Sequence, residues 1–181
     1  MAETPILQTS LPQTLDPQKV FRQKLQVSGQ LSVASMTRLC ESLLDEEGTV
    51  SANLYFEVDM ERRLRIRGKA SAEVSVTCQR CLQPMKLQLE DMIDLVLVST
   101  DAQSKSLPAS LDPWFCGEDE LLSPADIIEE QLILAMPIVT KHVRCIDVNS
   151  AQDETVKEHI ETESARQNPF AVLAGLKSRS D

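Results

Sequence analysis

Apolar and polar residues alternate with a period of two through the middle of this chain, broken at intervals by short polar or turn-forming clusters. Leu54, Phe56 and Val58 share one parity, and Leu64 and Ile66 take it up again after a turn centred on Glu61. Ala70, Ala72, Val74 and Val76 alternate with Ser71, Glu73, Ser75 and Thr77. Met85, Leu87, Leu89, Ile93, Leu95 and Leu97 hold one parity over a longer run. Such alternation predicts antiparallel strands with one face buried. The register of the first pair follows. Val58 opposes Leu64 and Phe56 opposes Ile66, which sets Asp59 against Arg63 and Glu57 against Arg65 on the other face. The hydrophobic and charge patterns agree on this pairing.

Helical spacing brackets the strands. Asp16-Pro17 reads as a cap followed by a first helical residue. Residues 24–28 form a short strand closed by Gly29, and Ser32 precedes a helix over 33–44 with Met36, Leu39, Cys40, Leu43 and Leu44 on its apolar stripe. Cys40 on that stripe is a small buried thiol. Pro108, Pro113 and Gly117 mark a loop. Ser123-Pro124-Ala125-Asp126 then opens a second helix with Ile128, Leu132 and Ala135 on one side, stopped by Pro137. The expected architecture is one α+β domain over 1–146: a strongly curved antiparallel sheet with two main helices. An acidic linker (147–167) and a short helical motif (168–181) follow as a mobile acidic C-terminal tail.

Composition narrows the function classes. Of 181 residues, 42% are hydrophobic but only 3% aromatic, so the core is aliphatic. The net charge of −10 opposes free-standing nucleic-acid binding and suits a basic partner such as a ribosomal protein. Between 101 and 130, Asp101, Asp112, Glu118, Asp119, Glu120, Asp126, Glu129 and Glu130 face only Lys105. Five cysteines, an odd count, and an N-terminus without a basic start and apolar run point to reduced thiols and a cytoplasmic protein. No apolar stretch approaches bilayer length, so no membrane partner is expected.

Candidate chemistry is concentrated at Cys78-Gln79-Arg80-Cys81, between two predicted strands. Two thiols on a tight turn can share one ion, whereas a redox pair belongs at a helix start, where the dipole lowers the attacking thiol's pKa. His142-Val143-Arg144-Cys145 supplies a matching pair, so Cys78, Cys81, His142 and Cys145 are the candidate ligands of one structural zinc ion. Cys116, in an acidic loop, is a bystander whose surroundings raise its pKa. Arg63, Arg65, Arg67 and Lys69 fall on one strand face. Arg65, Arg67 and Lys69, with Arg80, make a candidate RNA-binding stripe, although Asp59 and Glu57 can neutralise part of it as a salt-bridged face. Phe170, Leu173 and Leu176 either dock on the sheet or act as a partner-binding anchor on an acidic tether, and the tether's length favours the anchor. There is no glycine-rich phosphate loop, and two histidines leave little for a hydrolase triad, so neither an enzyme nor a small-molecule substrate is expected. A thiol oxidoreductase at Cys78 and Cys81 is the enzymatic alternative.

Four segments together resemble a known family. Leu-Pro-Gln-Thr-Leu-Asp-Pro (11–17), Cys-Gln-Arg-Cys-Leu-Gln-Pro (78–84), Asp-Ile-Ile-Glu-Glu-Gln-Leu-Ile-Leu-Ala-Met-Pro-Ile-Val (126–139) and Asn-Pro-Phe-Ala-Val-Leu-Ala-Gly-Leu-Lys (168–177) are similar to the YceD family of bacterial large ribosomal RNA subunit accumulation proteins. The resemblance implies a non-enzymatic cytoplasmic factor needed for normal production or accumulation of large-subunit (23S) rRNA. Its partner would be a large-subunit precursor, through rRNA or a basic ribosomal protein. Some relatives carry a richer cysteine cluster after the second helix, which here is reduced to His142 and Cys145.

Overall fold

A computed structural model describes residues 11–117 and 119–145. Ten elements follow one another: α1 (Pro17–Gln23), β1 (Gln26–Ser32), a 3-10 turn (Val33–Ser35), α2 (Thr37–Cys40), β2 (Thr49–Val58), β3 (Leu64–Thr77), β4 (Pro84–Val98), α3 (Asp101–Lys105), β5 (Asp112–Phe115) and α4 (Pro124–Leu134). The five strands form one sheet in sequence order. The α+β class is as expected. Strands β1 to β4 run antiparallel, but β5 pairs with β4 in parallel, from Leu95↔Asp112 to Val98↔Phe115, so the sheet is mixed. That last strand lies in the predicted loop. Pro113 is tolerated there because an edge strand has one side with no ladder to break.

The β2–β3 register matches the expectation pair for pair, with Val58↔Leu64, Phe56↔Ile66 and Glu57↔Arg65. Val50, Leu54, Phe56, Ile66, Ala70, Val74, Leu89 and Ile93 are buried on the common face. There α1 packs on β2, α4 packs on β3 and β4, and α2 packs against α4. Phe21 from α1 meets Phe56 edge to face, 5.5 Å between centroids at 85°. Gly68 is required by close approach: a Cβ there would lie 2.0 Å from the backbone oxygen of Asn53.

Two of the three predicted helix starts are capped as expected, whereas Ser32 makes no side-chain cap. Asp16 accepts from the Lys19 N–H at the head of α1, and Ser123 accepts from the Asp126 N–H at the head of α4. Lys24, in the left-handed region at φ 49, ends α1, so β1 starts at Gln26 and runs through Gly29 rather than stopping at it. The helix predicted over 33–44 is broken into the 3-10 turn and the four residues of α2. The cause is tertiary. Strand β3 outruns β2, and the Leu44 N–H donates to the Ser75 carbonyl at 2.8 Å, so the chain covers that open edge instead of continuing to coil. Gly48, at φ 135, turns it back beside Glu73. Among the described residues, no helix is long and apolar enough to cross a membrane. The predicted linker and C-terminal motif, with Phe170, Leu173 and Leu176, lie outside the described residues.

Candidate metal centre

Strand β3 ends at Thr77 and β4 begins at Pro84, and the six residues between them close a tight knuckle. The Cys78 N–H donates to the Gln83 carbonyl at 2.9 Å, and the Leu82 N–H donates to the Cys78 carbonyl at 2.8 Å. Leu82 takes the left-handed conformation, φ 58, that completes the turn. No helix begins here, and the Cys78 side chain is sealed from solvent. Both facts disfavour a redox pair, which needs an accessible attacking thiol.

After α4 the chain comes back to the knuckle. The Gln79 N–H donates to the Thr140 carbonyl at 2.8 Å, and the buried Thr140 hydroxyl donates to the Thr77 carbonyl at 2.8 Å. These bonds deliver His142: its backbone N–H points at Cys78 Sγ, 3.4 Å away, and its Nδ1 lies 3.4 Å from Cys81 Sγ. One ligand atom from each of Cys78, Cys81, His142 and Cys145 lies within 4.8 Å of all the others, so the set could hold a metal. A tetrahedral ion with bonds of about 2.3 Å to sulfur and about 2.0 Å to nitrogen keeps its ligand atoms about 3.5–3.8 Å apart. The residues fit such an ion with small side-chain movements.

The electrostatics match. Burial pushes the Cys78 thiol up, but the backbone N–H groups of Cys81, His142 and Arg80, with the Cys81 thiol, outweigh it and bring the pKa to about 5. Cys78 is therefore a thiolate at neutral pH, the form that binds metal. Three thiols and one imidazole would close a tetrahedral coordination sphere around such an ion and leave no position for substrate. Two other thiols differ: burial first and Glu120 second raise Cys116, and burial followed by Glu46 and Glu129 raises Cys40. Cys40 is half-buried beside the core, and its thiol donates to the Val33 carbonyl at 3.2 Å.

The candidate basic stripe is extensively neutralised. Arg65 is buried, its guanidinium on Asp94 and 3.8 Å from Asp59. Arg67 pairs with Glu57 at 2.8 Å and Asp94 at 3.4 Å, and Lys69 pairs with Glu90 at 2.6 Å. The register was legible and Asp59 takes Arg63 as expected, at 2.6 Å, but Glu57 pairs diagonally with Arg67, not with the Arg65 opposite it. Arg80 sits exposed on the knuckle, its backbone N–H turned to Cys78.

Two features were not legible in the sequence. Glu129, counted with the acidic surface, is buried and accepts from the N–H groups of Arg38 (2.8 Å) and Leu39 (3.1 Å), capping α2 from another helix. An open cleft of about 810 Å³ lies between α1, the β2–β3 turn, the end of β4 and the stretch from Gln103 of α3 into the loop after it. Arg22, Arg62 and Arg63 line it, and among the described residues no carboxylate does. Arg62 and Arg63 open the basic run over 62–69, but no local pattern sets Arg22 of α1 beside them.

Comparison with known proteins gives one consistent answer. The family model described as "Large ribosomal RNA subunit accumulation protein YceD" matches residues 66–177. A protein of that name from Haemophilus influenzae is 32% identical over 169 residues, covering 93% of this chain and 97% of the relative. No solved structure matches. The matched region spans the knuckle, α4 and the His142–Cys145 pair, and the chain belongs to the YceD family.

Proposed function

We propose that this chain is a non-enzymatic ribosome biogenesis factor that sustains accumulation of large-subunit (23S) rRNA by binding a basic large-subunit protein. The family membership supports the rRNA role. The observation that carries the partner is the charge distribution. Arg65, Arg67 and Lys69 are engaged by the chain's own acids, whereas no cation among the described residues pairs with Asp101, Asp112, Asp119 or Asp126. An acidic surface with uncommitted carboxylates is complementary to a basic ribosomal protein and repels RNA. Cys78, Cys81, His142 and Cys145 hold one structural zinc that fixes the chain after α4 to the sheet. Purification of the tagged chain from growing cells, with and without RNase, tests the reading. Retention of a basic large-subunit protein after RNase supports it, and loss of every ribosomal partner with the RNA refutes it.

A second reading, direct contact with RNA, is favoured by the arginine-lined cleft. It predicts that Arg22→Glu with Arg62→Glu removes RNA association while leaving the fold intact, and unchanged association would exclude it.

A further inference from the structure

Strand β1 forms one edge of the sheet, and the orientation of its backbone can be read from the ends of its pairing. The Leu25 carbonyl accepts from the Phe56 N–H at 3.0 Å, and the Val33 N–H donates to the Gly48 carbonyl at 3.1 Å. Odd-numbered residues therefore face β2. Alternation turns the N–H and C=O groups of Gln26, Ser28, Gln30 and Ser32 outward. Among the described residues no donor or acceptor meets the outward N–H groups of Gln26, Ser28 and Gln30; Ser32 alone has company, its carbonyl accepting from the Ser35 hydroxyl at 2.6 Å.

Exposed edges are ordinarily blunted by charge, proline or a bulge. The opposite edge, β5, carries Asp112 and Pro113. The β1 edge carries neither device: no charged residue and no proline occurs between Lys24 and Arg38, in a chain that is 25% charged. It is also self-complementary. Laid antiparallel on a second copy and centred on Gly29, Gln26-Val27-Ser28-Gly29-Gln30-Leu31-Ser32 sets Val27 against Leu31, Ser28 against Gln30 and Gln26 against Ser32. Every outward N–H then meets an outward carbonyl. Half-buried Leu31 gains an apolar neighbour in Val27 of the second copy. Gly29 meets Gly29 at a non-hydrogen-bonded pair, where strands approach most closely and a missing side chain helps most.

We infer that the β1 edge is the interface of a symmetric homodimer, in which two five-stranded sheets join into one continuous sheet across a two-fold axis at Gly29. The inference is independent of the ribosomal reading. Because each copy carries −10 while the edge is uncharged, added salt strengthens the association.

The test is sedimentation velocity of the full-length chain over a concentration series, at low and moderate salt. The expected mass rises from 20.2 kDa towards twice that value, at lower concentration when salt is added. Ser28→Lys with Gln30→Lys opposes like charges in both copies of the Ser28–Gln30 pair and abolishes the dimer. Ser28→Lys with Gln30→Glu opposes unlike charges in the same register and restores it. Thermal unfolding of the Lys/Lys variant that matches the wild type, at a concentration where both are monomeric, shows that the β1–β2 ladder is intact. A wild-type chain that stays at 20.2 kDa throughout overturns the inference, as does a Lys/Lys variant that dimerises like wild type.

Discussion

Removing the Glu129 carboxylate tests whether a single side chain on α4 holds the start of α2. Its Oε1 receives two backbone N–H groups, from Arg38 at 2.8 Å and Leu39 at 3.1 Å. A hydrogen bond to a charged acceptor contributes about 1.5–3 kcal/mol, and a buried donor left without a partner loses that in full. Arg38 is exposed, so water can replace its partner, but Leu39 is completely buried and its N–H has little recourse. Releasing the partly desolvated carboxylate offsets part of the loss. Glu129→Ala should therefore destabilise the fold by about 2–4 kcal/mol. Glu129→Gln keeps an acceptor oxygen in place and should cost about 1 kcal/mol. Urea unfolding followed by Trp114 fluorescence and far-UV circular dichroism measures both, and the m-value should not change if only stability is altered. An Ala variant within about 0.5 kcal/mol of wild type would refute the reasoning. So would a Gln variant as unstable as Ala, which would mean that the charge matters and the geometry does not.

Three further outcomes are expected. Gly68→Ala places a Cβ 2.0 Å from the Asn53 carbonyl oxygen, a backbone atom that can yield only if the β2–β3 ladder shifts, and should lower stability by about 1–3 kcal/mol in the same assay. Purified protein should carry one zinc by elemental analysis, and Cys78→Ser or Cys81→Ser should abolish it; full zinc content in either variant contradicts the ligand set. At Asp59, burial pushes the carboxyl up, but the Arg63 N–H and guanidinium outweigh it and hold it below the ordinary 3.8. Its folded pKa is depressed, so its contribution is present above pH 3.8 and disappears as pH falls through the lower folded value. Asp59→Asn should therefore flatten the acid limb of the stability profile, and an unaltered limb counts against the pair.

The sequence was most readable where two independent patterns coincided. Between β2 and β3, apolar residues at Phe56 and Ile66 and opposite charges at Glu57 and Arg65 required the same register, and the fold adopts it. The Cys/His cluster was legible for a similar reason: two pairs of potential ligands with the same spacing leave few arrangements, and the structure brings both pairs together. Legibility failed where the deciding partner was distant. Residues 33–44 have helical spacing, but the Ser75 carbonyl takes the Leu44 N–H, a bond that no local window contains. Glu129 looked like one more surface acid because an acid on a helix usually is, and only the packing of α2 on α4 gives it two donors. Residues 112–115 held Pro113 and were read as loop, yet an edge position removes the objection to proline.

The first four strands neighbour one another in the order in which a ribosome makes them. As each leaves the exit tunnel, its partner has already been synthesised, so the meander can zip up while the chain is still growing. The knuckle is formed with the β3–β4 hairpin, but His142 is translated 61 residues after Cys81. The clasp can therefore close only when nearly all of the described chain is out, and a nascent or truncated product carries the sheet with its clasp open. Closure at this site would report that synthesis has passed Cys145.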